Sequence, residues 1–173
     1  MSQLNLVHPN EDFAESYFSF ISEMRDLGEK IWESHIPREL ETTGSFITRL
    51  LRSQTSPEPE LVPETSFWAV RGPEVIGRIA LRHVLNKNLE EFGGHIGYEV
   101  RPSARRKGVA TEMLSLVLQT PKAKEIGHIL LTCAPDNIAS NRTIQKNGGI
   151  LTDTKFVERV QRQTNYYWIK LKP

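Results

Sequence analysis

Three basic residues and a glycine stand together where a predicted strand ends and a predicted helix begins. Arg105, Arg106 and Lys107 precede Gly108, and helical spacing starts at Val109. The first turn of a helix has free backbone N–H groups and roughly half a positive charge, and a glycine lets a ligand come close to the backbone. This combination predicts a loop that binds a pyrophosphate. A solvated basic turn, with the glycine serving only packing, is the alternative that spacing alone leaves open.

The remaining reactive side chains form no second motif. The single cysteine, Cys133, ends the apolar run 129–132, which is typical of a buried strand and predicts an inert thiol. The five histidines have no metal-ligand spacing: His8, His35, His83, His95 and His128. We therefore predict no metal site. The sequence also contains neither G-x-x-x-x-G-K-[ST] nor a G-x-G-x-x-G after a strand, so nothing indicates a P-loop or a dinucleotide-binding fold.

Apolar periodicity predicts the elements that hold the basic loop in place. The predicted elements are helices near 13–24 and 46–51, strands at 66–71, 75–85 and 95–100, a helix from 109, a strand at 129–133, a helix from 137 to 147, and strands at 150–157 and 164–171. The strand, helix and strand between 95 and 133 form a crossover, for which parallel strands are expected. The pattern predicts a mixed sheet flanked by helices.

The composition is that of one ordinary globular domain. The 173 residues are 38% hydrophobic and 25% charged, with a formal net charge of +1. Such a chain has no whole-molecule field for holding nucleic acid or an anionic membrane. The opening residues carry polar and acidic groups where a signal peptide needs an apolar segment. We expect a single domain over 1–173, a cytoplasmic location, and no membrane or nucleic-acid partner.

Two sequence segments resemble one enzyme family. RRKGVA at 105–110 resembles the R/Q-x-x-G-x-G/A signature of GCN5-related N-acetyltransferases (GNAT). NIASNRTIQKNG at 137–148 is similar to the N-x-x-S-x-x-x-x-x-K-x-G segment of members that resemble ribosomal-protein acetyltransferases. The segments occur in the family's order with a strand between them, and the resemblance covers roughly 67–171.

The resemblance implies an α/β (α+β) fold and an acetyl-CoA site. The sheet would be mixed and strongly twisted, with parallel central strands at 95–100 and 129–133 that splay apart to admit acetyl-CoA. Residues 95–149 would form the acetyl-CoA-binding core, and the helices of 10–54 would lie on the acceptor side. The implied cofactor-binding residues are Val100, Arg105, Arg106, Lys107, Gly108, Val109, Ala110, Thr111, Asn137, Ser140 and Asn141. For Asn137, a role as a helix cap alone is the alternative.

Acetyl transfer to an amine requires a base, because an ammonium must lose its proton before it can attack. Glu99 is the first candidate, since alternation along the strand places it on the same face as His95 and Gly97. His95 is the reserve base. The alternative for Glu99 is a carboxylate that only orients Arg101 or solvent. A backbone N–H near Val100 would stabilise the oxyanion.

The sequence departs from the family where a tyrosine often protonates the departing thiolate. That position is Ile144. Tyr166 or Tyr167 on the last strand could take the role, or solvent could supply the proton. The residues do not decide between these alternatives.

The leading functional hypothesis is an N-acetyltransferase that transfers an acetyl group from acetyl-CoA directly to a primary amine of a small molecule or peptide. A GNAT-fold regulator that binds acyl-CoA without transferring it is the first alternative, which the missing tyrosine leaves open. An RNA-binding module that uses the basic segment 101–107 is the third. The acidic residues Glu90, Glu91 and Glu99 suggest a cationic acceptor. A homodimer is an expectation from the family alone.

Overall fold

The computed structural model describes residues 3–172, which form seven strands and six α-helices. The strands are β1 (Asn5–Val7), β2 (Glu64–Arg71), β3 (Glu74–Arg82), β4 (Ile96–Val100), β5 (His128–Cys133), β6 (Ile150–Val157) and β7 (Arg162–Lys170). The helices are α1 (Ala14–Asp26), α2 (Thr43–Arg52), α3 (Lys87–Glu91), α4 (Val109–Leu118), α5 (Pro121–Ile126) and α6 (Ile138–Lys146). The strands lie in two antiparallel sheets, in the orders β1-β2-β3-β4 and β5-β7-β6.

The two sheets meet where β4 and β5 begin. The His95 N–H donates to the Leu130 carbonyl oxygen at 2.8 Å, and the Leu130 N–H donates to His95 Nδ1 at 2.9 Å. A Cβ on Gly94 would collide with the Leu130 carbonyl, so only glycine permits this close approach. Beyond this junction no ladder within residues 3–172 joins β4 to β5. The predicted splay between β4 and β5 is therefore wide. It replaces the single mixed sheet that the sequence predicted with two antiparallel sheets.

Helices cover both faces of the four-stranded sheet. On one face α1 and α2 pack on β2 and β3, with the ring of Tyr17 stacked on that of Trp68 at a centroid distance of 4.3 Å. On the other face α4 buries Met113, Leu114 and Val117 against the same strands. Aromatic and aliphatic burial on both faces fixes the orientation of β4 and of the loop that follows it.

The predicted helices and strands of the sequence are all present, and three short elements were missed. These are β1, α3 and α5, of three, five and six residues. Elements of this length are too short to show a period. The turn α3 depends on the side chain of Asn86, whose Oδ1 accepts from the Leu89 N–H at 3.0 Å.

Candidate active site

One edge of β4 has unpaired backbone groups. The Arg82 N–H donates to the His95 carbonyl and the Arg101 N–H donates to the Ile76 carbonyl, at 2.7 and 2.9 Å. Because hydrogen-bonded and non-bonded positions alternate in an antiparallel ladder, the odd-numbered residues of β4 pair with β3. The backbone groups of Tyr98 and Val100 therefore point into the gap between the sheets, where an extended ligand can pair with them as an added strand.

The basic loop carries free amides at the start of α4. Gly108 adopts the left-handed conformation with φ +79° and precedes the first helical residue. Helical pairing begins with the Glu112 N–H, which donates to the Gly108 carbonyl at 3.0 Å. The amides of Val109, Ala110 and Thr111 precede this first bond and have no acceptor inside the helix. This geometry suits an anionic ligand.

The side chain of Arg105 is held by two other parts of the chain. Its Nε donates to the Val100 carbonyl at 3.0 Å, and its two terminal nitrogens donate to the carboxylate of Glu29 at 2.5 and 2.6 Å. These hydrogen bonds from Arg105 lower the pKa of Glu29. The first predicted arginine of the loop is thus neutralised by an acidic residue from the segment after α1. Arg106 and Lys107 are exposed, and Lys107 Nζ donates to the Ser103 carbonyl at 3.1 Å.

The start of α6 places two of the predicted polar residues at the gap. Asn137 caps the helix, and its Oδ1 accepts from the Ser140 N–H at 3.0 Å. The Ser140 hydroxyl lies 2.8 Å from that of Tyr98 on β4. Tyr98 was missed by sequence reasoning, although its position on the strand before the basic loop was a signal.

The amide of Asn141 is used within the fold. Its Nδ2 donates to the carbonyls of Ala134 and Asn137 at 2.9 and 2.8 Å. Its Oδ1 accepts from Asn165 Nδ2 at 2.9 Å and from the Tyr167 hydroxyl at 2.6 Å. These partners hold the turn between β5 and α6 and occupy both ends of the amide.

The two alternative tyrosines of the last strand have other partners. The Tyr167 hydroxyl is bound to buried Asn141. The Tyr166 hydroxyl donates to the Glu91 carbonyl at 2.6 Å. Cys133 is buried, and burial raises the pKa of its thiol, as expected for an unreactive cysteine.

Glu99 and His95 have different environments. Glu99 lies 2.8 Å from Nη2 of Arg78, whose side chain is 7% exposed. The structure therefore pairs Glu99 with Arg78, whereas Arg101 pairs with Glu23. Burial and the nearby Arg82 charge lower the pKa of His95 to about 4. His95 is thus a weak base with one ring nitrogen engaged in joining the two sheets.

A cavity of about 350 Å³ lies over the face of β2, β3 and β4 that carries Glu99. Its floor includes Gly97, Glu99 and a second partly buried carboxylate, Glu64, whose Oε2 lies 3.3 Å from Nε of Arg82. Burial raises the pKa of Glu64. The walls come from the segment after α1, from α2, from the loop 57–62 and from the loop that contains α3. Glu64 and Arg82 could not be assigned to this cavity before the order of the strands was known.

Two other kinds of feature are absent from residues 3–172. No group of three or more His, Cys, Asp or Glu side chains is arranged to hold a metal ion. The same residues contain no helix of the length and apolarity needed to span a membrane.

Several solved structures share this fold. The microcin C7 self-immunity acetyltransferase MccE, in complex with acetyl-CoA and AMP, is 15% identical with a TM-score of 0.70, and the match covers 98% of this chain and 93% of that one. The ribosomal L7/L12 α-N-protein acetyltransferase RimL, in complex with coenzyme A, is 16% identical with a TM-score of 0.70 over 99% and 96%. An aminoglycoside acetyltransferase in complex with coenzyme A is 15% identical with a TM-score of 0.61 over 98% and 95%.

At these identities the structural matches establish the fold, and the sequence itself supplies the family. No curated protein sequence matches the chain significantly. Residues 3–150 match the model of the acetyltransferase (GNAT) domain. As the two sequence motifs predicted, the chain belongs to the GNAT family of acetyltransferases, which use acetyl-CoA as the acetyl donor.

Proposed function

We propose that this acetyltransferase holds acetyl-CoA in the gap between β4 and β5 and transfers the acetyl group directly to a primary amine bound in the cavity over the sheet. One observation carries the proposal. The strand β4 offers to the gap the backbone groups of Tyr98 and the N–H of Val100, and its neighbouring residues Gly97 and Glu99 line the cavity. A thioester that lies along β4 is therefore within reach of an amine that enters from the cavity.

The cofactor would contact three parts of the chain. Val100 would pair with the pantetheine arm through its N–H, since Arg105 already donates to its carbonyl. The amides from Arg106 to Thr111 would bind the pyrophosphate, and Arg106 and Lys107 would add positive charge there. The predicted amide of Arg105 is not among them, because it already donates to the Pro102 carbonyl at 3.3 Å. Asn137 and Ser140 would lie beside the thiol end. We assign Asn141 the role of fixing their turn, because its amide is occupied.

The chemistry then needs a proton acceptor on the cavity side. An acceptor ammonium gives up one proton to the base, and its nitrogen then bonds to the acetyl carbon. The carbon–sulfur bond breaks with the electron pair passing to sulfur, and the nitrogen loses a second proton as the amide forms, so that one of the two protons can neutralise the thiolate. Glu99 is the proposed base because it lies in the cavity on the strand that would hold the thioester. The ion pair with Arg78 fixes the position of this carboxylate on the floor of the cavity.

The acceptor would be a small amine or the end of a peptide. A cavity of about 350 Å³ admits groups of that size. The carboxylates of Glu64 and Glu99 on its floor would favour a cationic end. We further propose that residues 95–149 form the cofactor core and that the helices within 10–54 shape the acceptor side, where Trp32 and Leu50 line the cavity. A cytoplasmic location and a homodimer stay predictions from the sequence and the family.

The proposal is tested by incubating the purified protein with acetyl-CoA and panels of primary amines. Free thiol release should depend on the amine, and mass spectrometry should find one added acetyl group on it. The control is Gly108→Val, which should lose both signals together with CoA binding. CoA binding without acetylation of any amine would instead favour the regulator that binds acyl-CoA.

A further inference from the structure

A tyrosine on β4, Tyr98, places its hydroxyl near the position on α6 where many family members have a tyrosine. Ile144 on α6 is buried and carries no polar group. Tyr98 on β4 faces away from the cavity that Glu99 lines, and its ring packs against the core beneath α4. Its hydroxyl crosses to α6, where it lies 2.8 Å from the Ser140 hydroxyl, one helical turn before Ile144.

The relative acidities of the two hydroxyl groups favour one direction for this hydrogen bond. Burial raises the pKa of Tyr98 to about 12, and the contact with the Ser140 hydroxyl partly opposes that rise. A phenol is nevertheless a stronger acid than an aliphatic alcohol, so the favoured arrangement has the Tyr98 O–H donating to Ser140 Oγ. The hydroxyl hydrogen of Ser140, which is half-buried at the gap, then remains available to a ligand.

A side chain from β5 also lies near the Tyr98 and Ser140 hydroxyl groups. Cys133 ends that strand, where burial raises the pKa of its thiol and the neighbouring Ser140 hydroxyl partly opposes that rise. Residues from β4, β5 and α6 thus converge beside the gap proposed for acetyl-CoA. Two hydroxyl groups in contact are a polar arrangement that packing alone does not require.

We propose that Tyr98 acts through Ser140 to stabilise the departing CoA thiolate, an inference that rests on the proposed function. As the carbon–sulfur bond breaks, the Ser140 O–H donates to the sulfur while the Tyr98 O–H donates to Ser140 Oγ. The chain of two hydrogen bonds strengthens the donor that faces the developing charge. Tyr98 is therefore a positioning residue.

No proton needs to leave the tyrosine. The thiolate receives the electron pair of the broken bond, and the proton that finally neutralises it is the one released by the attacking amine through Glu99 or water. The weak acidity of half-buried Tyr98 fits this role, since a phenol with a pKa of about 12 stays neutral throughout the working range of pH.

The first test measures acetyl transfer by Tyr98→Phe, which keeps the ring and removes the hydroxyl. We expect kcat to fall about 10- to 100-fold while the KM for acetyl-CoA stays unchanged, because one donor at a developing charge is weakened. Acetyl-seleno-CoA has a more stable leaving group, so the deficit should shrink with that donor. An equal deficit with both donors would indicate a merely structural role and overturn the inference. The matched control is Tyr166→Phe, whose hydroxyl lies on the Glu91 carbonyl outside the gap.

The second test needs no acetyl transfer. The pKa of the CoA thiol bound to the protein can be followed by its ultraviolet thiolate absorbance. We expect this pKa to be about one unit lower in the wild-type protein than in Tyr98→Phe, a tenfold change in the ionisation constant. If no amine is acetylated but this difference is present, the proposed function fails and the hydrogen-bond chain stands. If transfer occurs and neither the deficit nor the difference in pKa is found, the inference about Tyr98 fails alone.

Discussion

Removing the charge of Glu29 should tighten CoA binding. In the structure Glu29 accepts two hydrogen bonds from Arg105, at 2.5 and 2.6 Å, and Arg105 belongs to the loop proposed to bind the pyrophosphate. A phosphate oxygen that uses this guanidinium must displace the carboxylate or share the arginine with it. Glu29→Gln removes the competing charge, and it also removes a negative group from the neighbourhood of the phosphates.

The size of this effect follows from the exposure of the pair. The side chains of Arg105 and Glu29 are 38% and 32% exposed, so solvent screens their attraction. Ion pairs of this kind contribute about 0.2 to 1 kcal/mol, which corresponds to a CoA dissociation constant lowered about 1.4- to 5-fold in Glu29→Gln. The gain should shrink at high salt, because both the lost competitor and the phosphate act through screened charge.

Isothermal titration calorimetry with CoA at low and high salt measures the effect. The matched control is Glu23→Gln, which releases Arg101 at the base of the same loop but leaves Arg105 paired. We expect no gain in affinity from that variant. Weaker CoA binding by folded Glu29→Gln at low salt would contradict this competition and show that Glu29 orients Arg105 for the ligand. Unchanged binding would contradict it too, and would show that Arg105 makes no contact with CoA.

Four further predictions concern single residues. Gly108→Val should abolish CoA binding in calorimetry and cost about 1 to 3 kcal/mol of stability in denaturant unfolding, because φ is +79° there and a branched side chain would stand before the free amides. Glu99→Gln should lower kcat about 10²- to 10⁴-fold with part of the loss recovered at high pH, where more acceptor is already a free amine, and an equal kcat near neutral pH would exclude Glu99 as the base. Cys133→Ala should keep most activity, whereas an acetyl group trapped on Cys133 by mass spectrometry would indicate a ping-pong route. Hydrogen bonds from Arg49 lower the pKa of Glu41 from 4.5 to about 2, so this pair stabilises the fold above the higher value and its contribution is lost as pH falls toward the lower one. As the pH is lowered from 4.5 to about 2, the free energy of unfolding should fall more steeply in the wild-type protein than in Glu41→Gln.

Local patterns predicted the elements and the faces of β4 correctly. Period-two alternation put Gly97 and Glu99 on one face, and both line the cavity. The basic segment and its glycine identified the start of α4, because a helix N-terminus is encoded within a few residues. The cap at Asn137 was predicted for the same reason.

Partners distant in the sequence could not be predicted. The pairs Glu29 with Arg105 and Arg78 with Glu99 depend on how α1 and β3 pack against β4, and no local period contains that information. Tyr98 was missed because the family's tyrosine was sought on α6 and β7. Whether the side chain of Tyr98 on β4 reaches Ser140 on α6 depends on the width of the gap between the sheets, which no local pattern contains.

The placement of the cofactor between β4 and β5 is tested most directly by a titration of ¹⁵N-labelled protein with CoA, followed by backbone amide NMR. We expect the largest shifts at the amides from Gly108 to Thr111 and at Val100, with smaller ones at Ser140. Gly108→Val should abolish all of them. Saturable CoA binding with its largest shifts elsewhere, and with the amides from Gly108 to Thr111 unmoved, would contradict the placement of the cofactor between β4 and β5.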